Sequence, residues 1–213
     1  PLLYSGSRDN FFRIISLDGD KPRELYKIEA KISDGYWNND WDPNAIIEND
    51  ILYTGAENGL FHILKLNRAY DADGKVTVAP SVLIKVPSFN TELLKNIGDE
   101  DVSIESSPLK IDNTVYIANS GGRIIGMDVS RVLEGLAPIV FDFWTGDDTD
   151  ATLVTDNRGY IYAASERERI NKRSDEVGQI MKLDPRNTAN PLVWGVPVLP
   201  KQKGIDGGVW ATP

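Results

Sequence analysis

Residues 106–128 read SSPLKIDNTVYIANSGGRIIGMD. Pro108 precedes a short apolar run, Asp112-Asn113 makes a polar turn, and Val115-Tyr116-Ile117-Ala118 reads as a β-rich strand. Gly121-Gly122 is a second turn, and the next strand ends on Met127-Asp128. Short alternating strands bounded by Gly, Asn, Asp and Pro are what a meander of hairpins requires. Residues 42–67, DPNAIIENDILYTGAENGLFHILKLN, repeat the same order of features. A third copy starts at Asp150 with DATLVTDNRGYIYAASE and closes over 178–184, after an insertion. A fourth occupies the start of the chain, with Leu3-Tyr4-Ser5-Gly6 and a strand over 11–17. A further copy begins over 207–213, GGVWATP.

The equivalent tyrosines are Tyr4, Tyr53, Tyr116 and Tyr162, spaced 49, 63 and 46 residues apart. Such a period suits a four-stranded blade of about 40–50 residues with loop insertions. Fourth strands are expected over 24–28, 81–86, 139–143 and 192–196. One small twisted sheet cannot bury both of its faces, and stacking sheets around an axis solves that problem. The sequence therefore predicts an all-β chain, a β-propeller of four-stranded antiparallel blades. The expected blades cover 1–30, 41–88, 103–143 and 149–200 of one domain spanning 1–213, with a further blade starting at 207–213. The first blade lacks its proline-position strand, so the expectation is an incomplete ring, part of a larger propeller. A closed four-bladed ring is the alternative. Helix is expected to be scarce and confined to short connections, with 91–97 and 130–136 as the candidates.

Composition narrows the functional classes. The 213 residues carry 23 Lys plus Arg against 32 Asp plus Glu, a formal net charge of −9. An acidic surface repels phosphate backbones, which argues against nucleic acid as a partner. No apolar run approaches the roughly 18 residues of a membrane-spanning helix. The N-terminal residues show no basic segment followed by an apolar one, so no signal peptide is visible. Cysteine is absent, which removes disulfides, thiol catalysis and thiolate metal ligands from this span.

The repeat of proline, short strand, DNTVYIA, glycine turn and a strand ending in an apolar residue plus Asp resembles the quinoprotein (pyrroloquinoline-quinone, PQQ) propeller repeat. Met127-Asp128 and Leu183-Asp184 match its terminal Asp, and Trp194 matches the Trp of its fourth strand. Leu66-Asn67 departs from the pattern, and Phe141 and Phe143 stand in the Trp region of another copy. The resemblance implies a propeller that is commonly eight-bladed, in a periplasmic or extracellular setting. It covers non-catalytic scaffolds as well as dehydrogenases that hold a quinone and Ca²⁺ at the axial mouth. The adjacent-cysteine ring of those dehydrogenases is absent from this chain.

Catalytic constellations are scarce. His62 is the only histidine, which excludes a histidine-cluster metal site, and its place in an alternating strand reads as structural. Asp71-Ala72-Asp73-Gly74 begins like an EF-hand loop, but Val82 stands where the bidentate Glu must be, so a hairpin turn is expected. Asp147, Asp148 and Asp150 offer oxygen ligands for Ca²⁺, with a solvated acidic loop as the plainer reading. The same holds for Asp99-Glu100-Asp101. The alternating charges of 166–176 mark a solvated insertion outside any site. Residues just before each proline-position strand approach the axis of a propeller. Trp41, Asp42, Glu105, Asp150 and Trp210 are therefore the expected ligand contacts, the tryptophans supplying apolar area and the acids polarity. The plainer reading packs the tryptophans between blades.

Two functional classes follow. The first is a non-catalytic binding or assembly platform for a protein partner or small ligand, with no cofactor. The second is part of a PQQ-dependent dehydrogenase with Ca²⁺. A carbohydrate-active or lyase propeller is a third, lacking converging acid and base groups in the sequence.

Overall fold

The computed structural model describes residues 1–200 and 206–213. The strands are β1 (Leu2–Ser5), β2 (Phe11–Ser16), β3 (Arg23–Glu29), β4 (Ile46–Glu48), β5 (Ile51–Gly55), β6 (Leu60–Lys65), β7 (Ala69–Tyr70), β8 (Val76–Thr77) and β9 (Ser81–Pro87). Then come α1 (Thr91–Ile97), β10 (Leu109–Ile111), β11 (Thr114–Ala118), β12 (Arg123–Asp128), β13 (Ile139–Trp144), β14 (Val154–Thr155) and β15 (Ile161–Ala164). The chain continues with β16 (Glu166–Arg167), α2 (Lys172–Val177), β17 (Ile180–Leu183), β18 (Leu192–Val196) and β19 (Gly207–Gly208).

These strands form one three-stranded sheet, β1-β2-β3, and three four-stranded sheets, β4-β5-β6-β9, β10-β11-β12-β13 and β14-β15-β17-β18. All ladders are antiparallel. The repeat is visible in the register. Tyr4 pairs with Ile14, Tyr53 with Ile63, Tyr116 with Gly126 and Tyr162 with Lys182. In every sheet a bulge follows that partner directly, between Ile14 and Ile15, Ile63 and Leu64, Gly126 and Met127, Lys182 and Leu183. A bulge bends the strand and strengthens its twist, so each outer strand leaves its neighbour at the same place. Gly126 has a local reason as well: a Cβ there would lie 2.5 Å from the Tyr116 ring. That ring packs edge-on against Phe141 with centroids 5.7 Å apart.

Alternation along the inner strands sends side chains to both faces, and three apolar layers result. Phe12 and Ile14 of the first sheet meet Leu52 and Leu64 of the second. Tyr53, Phe61 and Ile63 on the other face of that sheet meet Val115, Ile117, Ile125 and Met127 of the third. Tyr116, Ile124, Phe141 and Phe143 meet Ile161, Ala163, Met181 and Leu183 of the fourth. Among the described residues no such layer joins the fourth sheet to the first. β10 and β14, the first strands of neighbouring sheets, touch, as the inner strands of blades around an axis must. The all-β propeller read from the sequence is the observed fold.

Connections follow the expected chemistry. α1 has Asn90 as N-cap, its side chain accepting from the Leu93 N–H at 2.8 Å, and Gly98 in the left-handed conformation at its end. The segment 130–136 forms only a single 3₁₀ turn, Val132–Glu134. Asp71-Ala72-Asp73-Gly74 is the turn of the β7–β8 hairpin. Residues 207–213, expected to open a further blade, contribute β19, which pairs with β16 in the insertion of the fourth sheet. Among the described residues no helix is long and apolar enough to cross a membrane.

Candidate functional site

The segments that lead into β4, β10 and β14 are built alike. Each runs beside the turn that follows a repeat tyrosine. The Glu57 N–H donates to the Asp40 carbonyl, Ser120 N–H to that of Ser103 and Glu166 N–H to that of Asp148, at 3.0, 2.9 and 2.8 Å. The first two of these segments also reach the preceding sheet: Trp41 N–H donates to the Ser7 carbonyl and Ile104 N–H to that of Ala56, and the C-terminal Val209 N–H reaches the Ser165 carbonyl of the fourth sheet in the same way. Burial changes from one residue to the next there: Trp41, Ile104 and Thr149 are buried, whereas Asp42, Glu105 and Asp150 are more exposed. One residue of each segment goes down into the core and the next faces the mouth.

That alternation sorts the five expected site residues. Trp41 is one of the inward set with Ile104 and Thr149. It is 2% exposed, stacks 5.6 Å from Phe12 and 4.9 Å from His62, and its indole N–H donates to the Asn10 carbonyl at 3.0 Å. It packs between the first two sheets. Asp42, Glu105, Asp150 and Trp210 follow the inward position, and each lies beside the fourth residue after a repeat tyrosine. Asp42 is ion-paired to Arg8 at 3.1 Å. Asp150 accepts from the Ser120 hydroxyl at 2.8 Å. Glu105 feels the charges of Asp150, Glu57 and Asp42, and the Trp210 indole lies beside Glu166.

Sequence reasoning missed Glu57, Ser120 and Glu166. Their shared signal is position, four residues beyond Tyr53, Tyr116 and Tyr162. It also placed the insertion 166–176 in solvent, and the structure corrects this. Glu166 is 3% exposed and lies in the mouth. The reason is Asp147, whose fully buried carboxylate accepts the backbone N–H groups of Glu168, Arg169 and Ile170 at 3.3, 3.1 and 3.3 Å. Asp147 thus holds the insertion over the mouth, with its oxygens engaged by backbone. Arg169 then reaches the third sheet's loop, pairing with Asp99 at 3.2 Å and donating to the Ser120 carbonyl at 2.7 Å.

Seven carboxylates from three successive sheets therefore share one end of the molecule: Asp42 and Glu57, Asp101 and Glu105, then Asp148, Asp150 and Glu166. Crowding and burial favour the protonated forms of Glu57, Asp101, Glu105, Asp148 and Glu166. Burial, then the charges of Asp150, Glu57 and Asp42, push Glu105 up to about 8. Burial, then Asp150 and Glu166, push Asp148 up to about 10. Glu166 rises to about 8 through burial and Asp150, with Trp210 opposing the rise. Glu57 rises to about 7, chiefly through burial, with the Asn38 side chain opposing the rise through a 2.7 Å hydrogen bond.

Asp148, Asp150 and Glu166 each present an oxygen within 4.8 Å of the others. Asp148 is 7% exposed, and its Oδ1 is buried with no hydrogen-bond partner among the described residues. Three carboxylates form a hard oxygen donor set of the kind that suits Ca²⁺. The aromatic planes expected beside a quinone are not brought together, because Trp41 is sealed in the core while Trp210 is 57% exposed.

No protein-family model matches the chain, and no curated protein matches it. Solved structures do. Sqt1 of Saccharomyces cerevisiae aligns over 93% of this chain and 46% of its own, with TM-score 0.59 and 18% identity. A europium-containing methanol dehydrogenase aligns over 93% and 40%, with TM-score 0.61 and 12% identity. The WD40 repeats of RRP9 align over 91% and 48%, with TM-score 0.50 and 13% identity. The chain spans less than half the length of each. At these identities the likeness establishes the propeller fold, which the three share with this chain, and leaves the chemistry open.

Proposed function

We propose that the chain is a propeller of the quinoprotein-like repeat type that serves as a non-catalytic binding platform, capturing a cationic segment of a protein partner at the acidic mouth. The observation that carries this reading is the convergence of carboxylates from three successive sheets. A row of that width suits several positive charges on one extended segment better than a single point charge. Among the described residues no nucleophile–base pair accompanies it, and His62, the only histidine of the sequence, is buried against Trp41. A setting in the periplasm or outside the cell is part of the proposal and rests on the repeat resemblance.

The test is calorimetric titration with a short oligolysine peptide at low salt. Binding is expected, weakening with salt as surface electrostatics are screened. Because Glu105 and Glu166 are held partly protonated at neutral pH, binding is expected to release protons, seen as a dependence of the heat on the buffer's ionisation enthalpy. Glu105→Gln and Asp150→Asn should each weaken binding by about 5-fold or more. No binding, or equal affinity in wild type and both variants, would overturn the reading.

A second reading is favoured by Asp148 Oδ1: the Asp148, Asp150 and Glu166 end holds Ca²⁺, as a quinone-dependent dehydrogenase would use it. Tight Ca²⁺ binding lost in Asp148→Asn, with no oligolysine binding, would favour that reading. The separated tryptophans weigh against the quinone itself.

A further inference from the structure

Among the described residues, Arg169 is the cation that the insertion places beside these carboxylates, near Asp101 and Asp148, as Arg8 is placed beside Asp42. The Arg169 guanidinium lies 3.2 Å from Asp99, 3.9 Å from Asp101 and 4.0 Å from Asp147, and its side chain is 15% exposed. Nη1 donates to the Ser120 carbonyl at 2.7 Å, while the hydroxyl of the same serine donates to Asp150 at 2.8 Å. Arg169 and Asp150 thus meet on one residue.

The backbone beneath the side chain is held separately. Asp147 fixes the N–H groups of 168–170, β16 pairs with β19, and Asn171 caps α2 by accepting the Ser174 N–H at 2.9 Å. Ile170 sits at φ 50°, a left-handed conformation that a β-branched residue adopts only when its surroundings impose it. The strap therefore keeps its course without the guanidinium. Its remaining cations point elsewhere: Arg167 pairs with Asp175, Lys172 pairs with Glu176, and Arg173 donates to the Trp144 carbonyl at 3.0 Å.

From this arrangement we infer that Arg169 is a tethered competitor, an internal cation that occupies the acidic mouth and is displaced when a cationic ligand enters. The inference rests on the platform reading above. A guanidinium is always charged and matches carboxylates as a fork, so a ligand must supply either more charge or better-placed charge to replace it. Lone cations are thereby excluded and segments with several are selected.

The test compares oligolysine affinity in wild type, Arg169→Gln, Arg169→Lys and Lys172→Gln. Lys172 is the control, because it removes one positive charge from an exposed position outside the mouth; its side chain is 91% exposed. Arg169→Gln should tighten binding at least about 5-fold, the low end of a coupling between two sites. Lys172→Gln should change it by less than about 2-fold, as expected for a screened surface charge. Arg169→Lys should fall between wild type and Arg169→Gln. The affinity of Arg169→Gln should also fall more steeply with salt than that of wild type, which a merely structural role would not produce. Unchanged or weaker binding in Arg169→Gln, or a gain equalled by Lys172→Gln, overturns the inference while leaving the platform reading intact. Absence of oligolysine binding in wild type and Arg169→Gln alike overturns both.

Discussion

The pocket between the first two sheets encloses Thr54 and His62, which face each other across the β5–β6 ladder and have no side-chain hydrogen-bond partners among the described residues. The mouth of the fourth sheet encloses Asp148 and Ser165, whose Oδ1 and Oγ are likewise buried without partners. Leaving a buried polar atom unpaired costs about 1–3 kcal/mol wherever it occurs. The first pocket limits the cost by neutrality: burial pushes the His62 imidazole down to about 3, and Trp41 and the neighbouring aliphatics close around it. The second accumulates like charges, each raising its neighbours. Packing should therefore govern the first region, and charge the second.

Trp41→Ala should give the largest effect. It removes a fully enclosed indole from between Phe12 and His62 together with its bond to Asn10, a change that costs about 3–5 kcal/mol in a core. Urea unfolding should show this loss, while oligolysine affinity, measured where the variant remains folded, should stay within about 2-fold of wild type. A loss of affinity in the folded variant would place Trp41 in the mouth and break the contrast.

The His62 effect depends on pH. Its folded pKa lies below the unfolded value near 6.5, so the unfolded chain takes up the proton first as pH falls. The contribution to stability is full above about 6.5 and is lost toward about 3. By pH 5 the loss should reach about 2 kcal/mol. His62→Leu should remove that slope and change stability at pH 7 by less than about 1.5 kcal/mol, as a swap of similar volume does. An unchanged slope would show that another group carries the acid sensitivity.

The mouth should respond with the opposite sign. Asp148, Glu166 and Glu105 have folded pKa values raised above their unfolded ones. Their contribution is full below about 4 and is lost as pH rises toward about 8 and beyond. Asp148→Asn fixes one group in an uncharged form. Its stability should match wild type near pH 4 and exceed it by about 1–2 kcal/mol at pH 8, as relief of buried charge allows. Lower stability at pH 8 would mean that the Asp148 carboxylate is already paired.

The sequence showed much of the first region and only part of the second. Tyr4, Tyr53, Tyr116 and Tyr162 announced the strands because alternation and turn residues are local properties, and α1 lies at 91–97 where its residues were read as helical. The bulge beside each tyrosine's partner left no mark, since it falls at Ile-Ile, Ile-Leu, Gly-Met and Lys-Leu pairs with no common side chain. The mouth was legible at Asp42, Glu105, Asp150 and Trp210 through position alone. Trp41, expected either as a ligand contact or, more plainly, packed between blades, takes the packed position because the next residue of the lead-in segment, Asp42, is the one that faces the mouth. Glu166 was hidden by its setting among alternating charges, whose partners Asp99 and Asp101 lie far away in sequence.

Trp210 gives the smallest expected effect and the finest test of the contrast. It is 57% exposed and lies beside Glu166, so Trp210→Ala should change stability by no more than about 0.5 kcal/mol, as surface substitutions do. Its face is nonetheless open to a ligand's lysines, and a cation–π contact at an exposed site is worth about 0.5–1 kcal/mol. Oligolysine affinity should therefore fall by about 2- to 5-fold. Trp210→Phe should keep most of that contact and lose the indole N–H that opposes the rise of Glu166. The proton release on binding should then grow slightly, because Glu166 begins more fully protonated. Affinity unchanged in Trp210→Ala would confine recognition to the carboxylates, whereas a stability loss near that of Trp41→Ala would show Trp210 to be core as well.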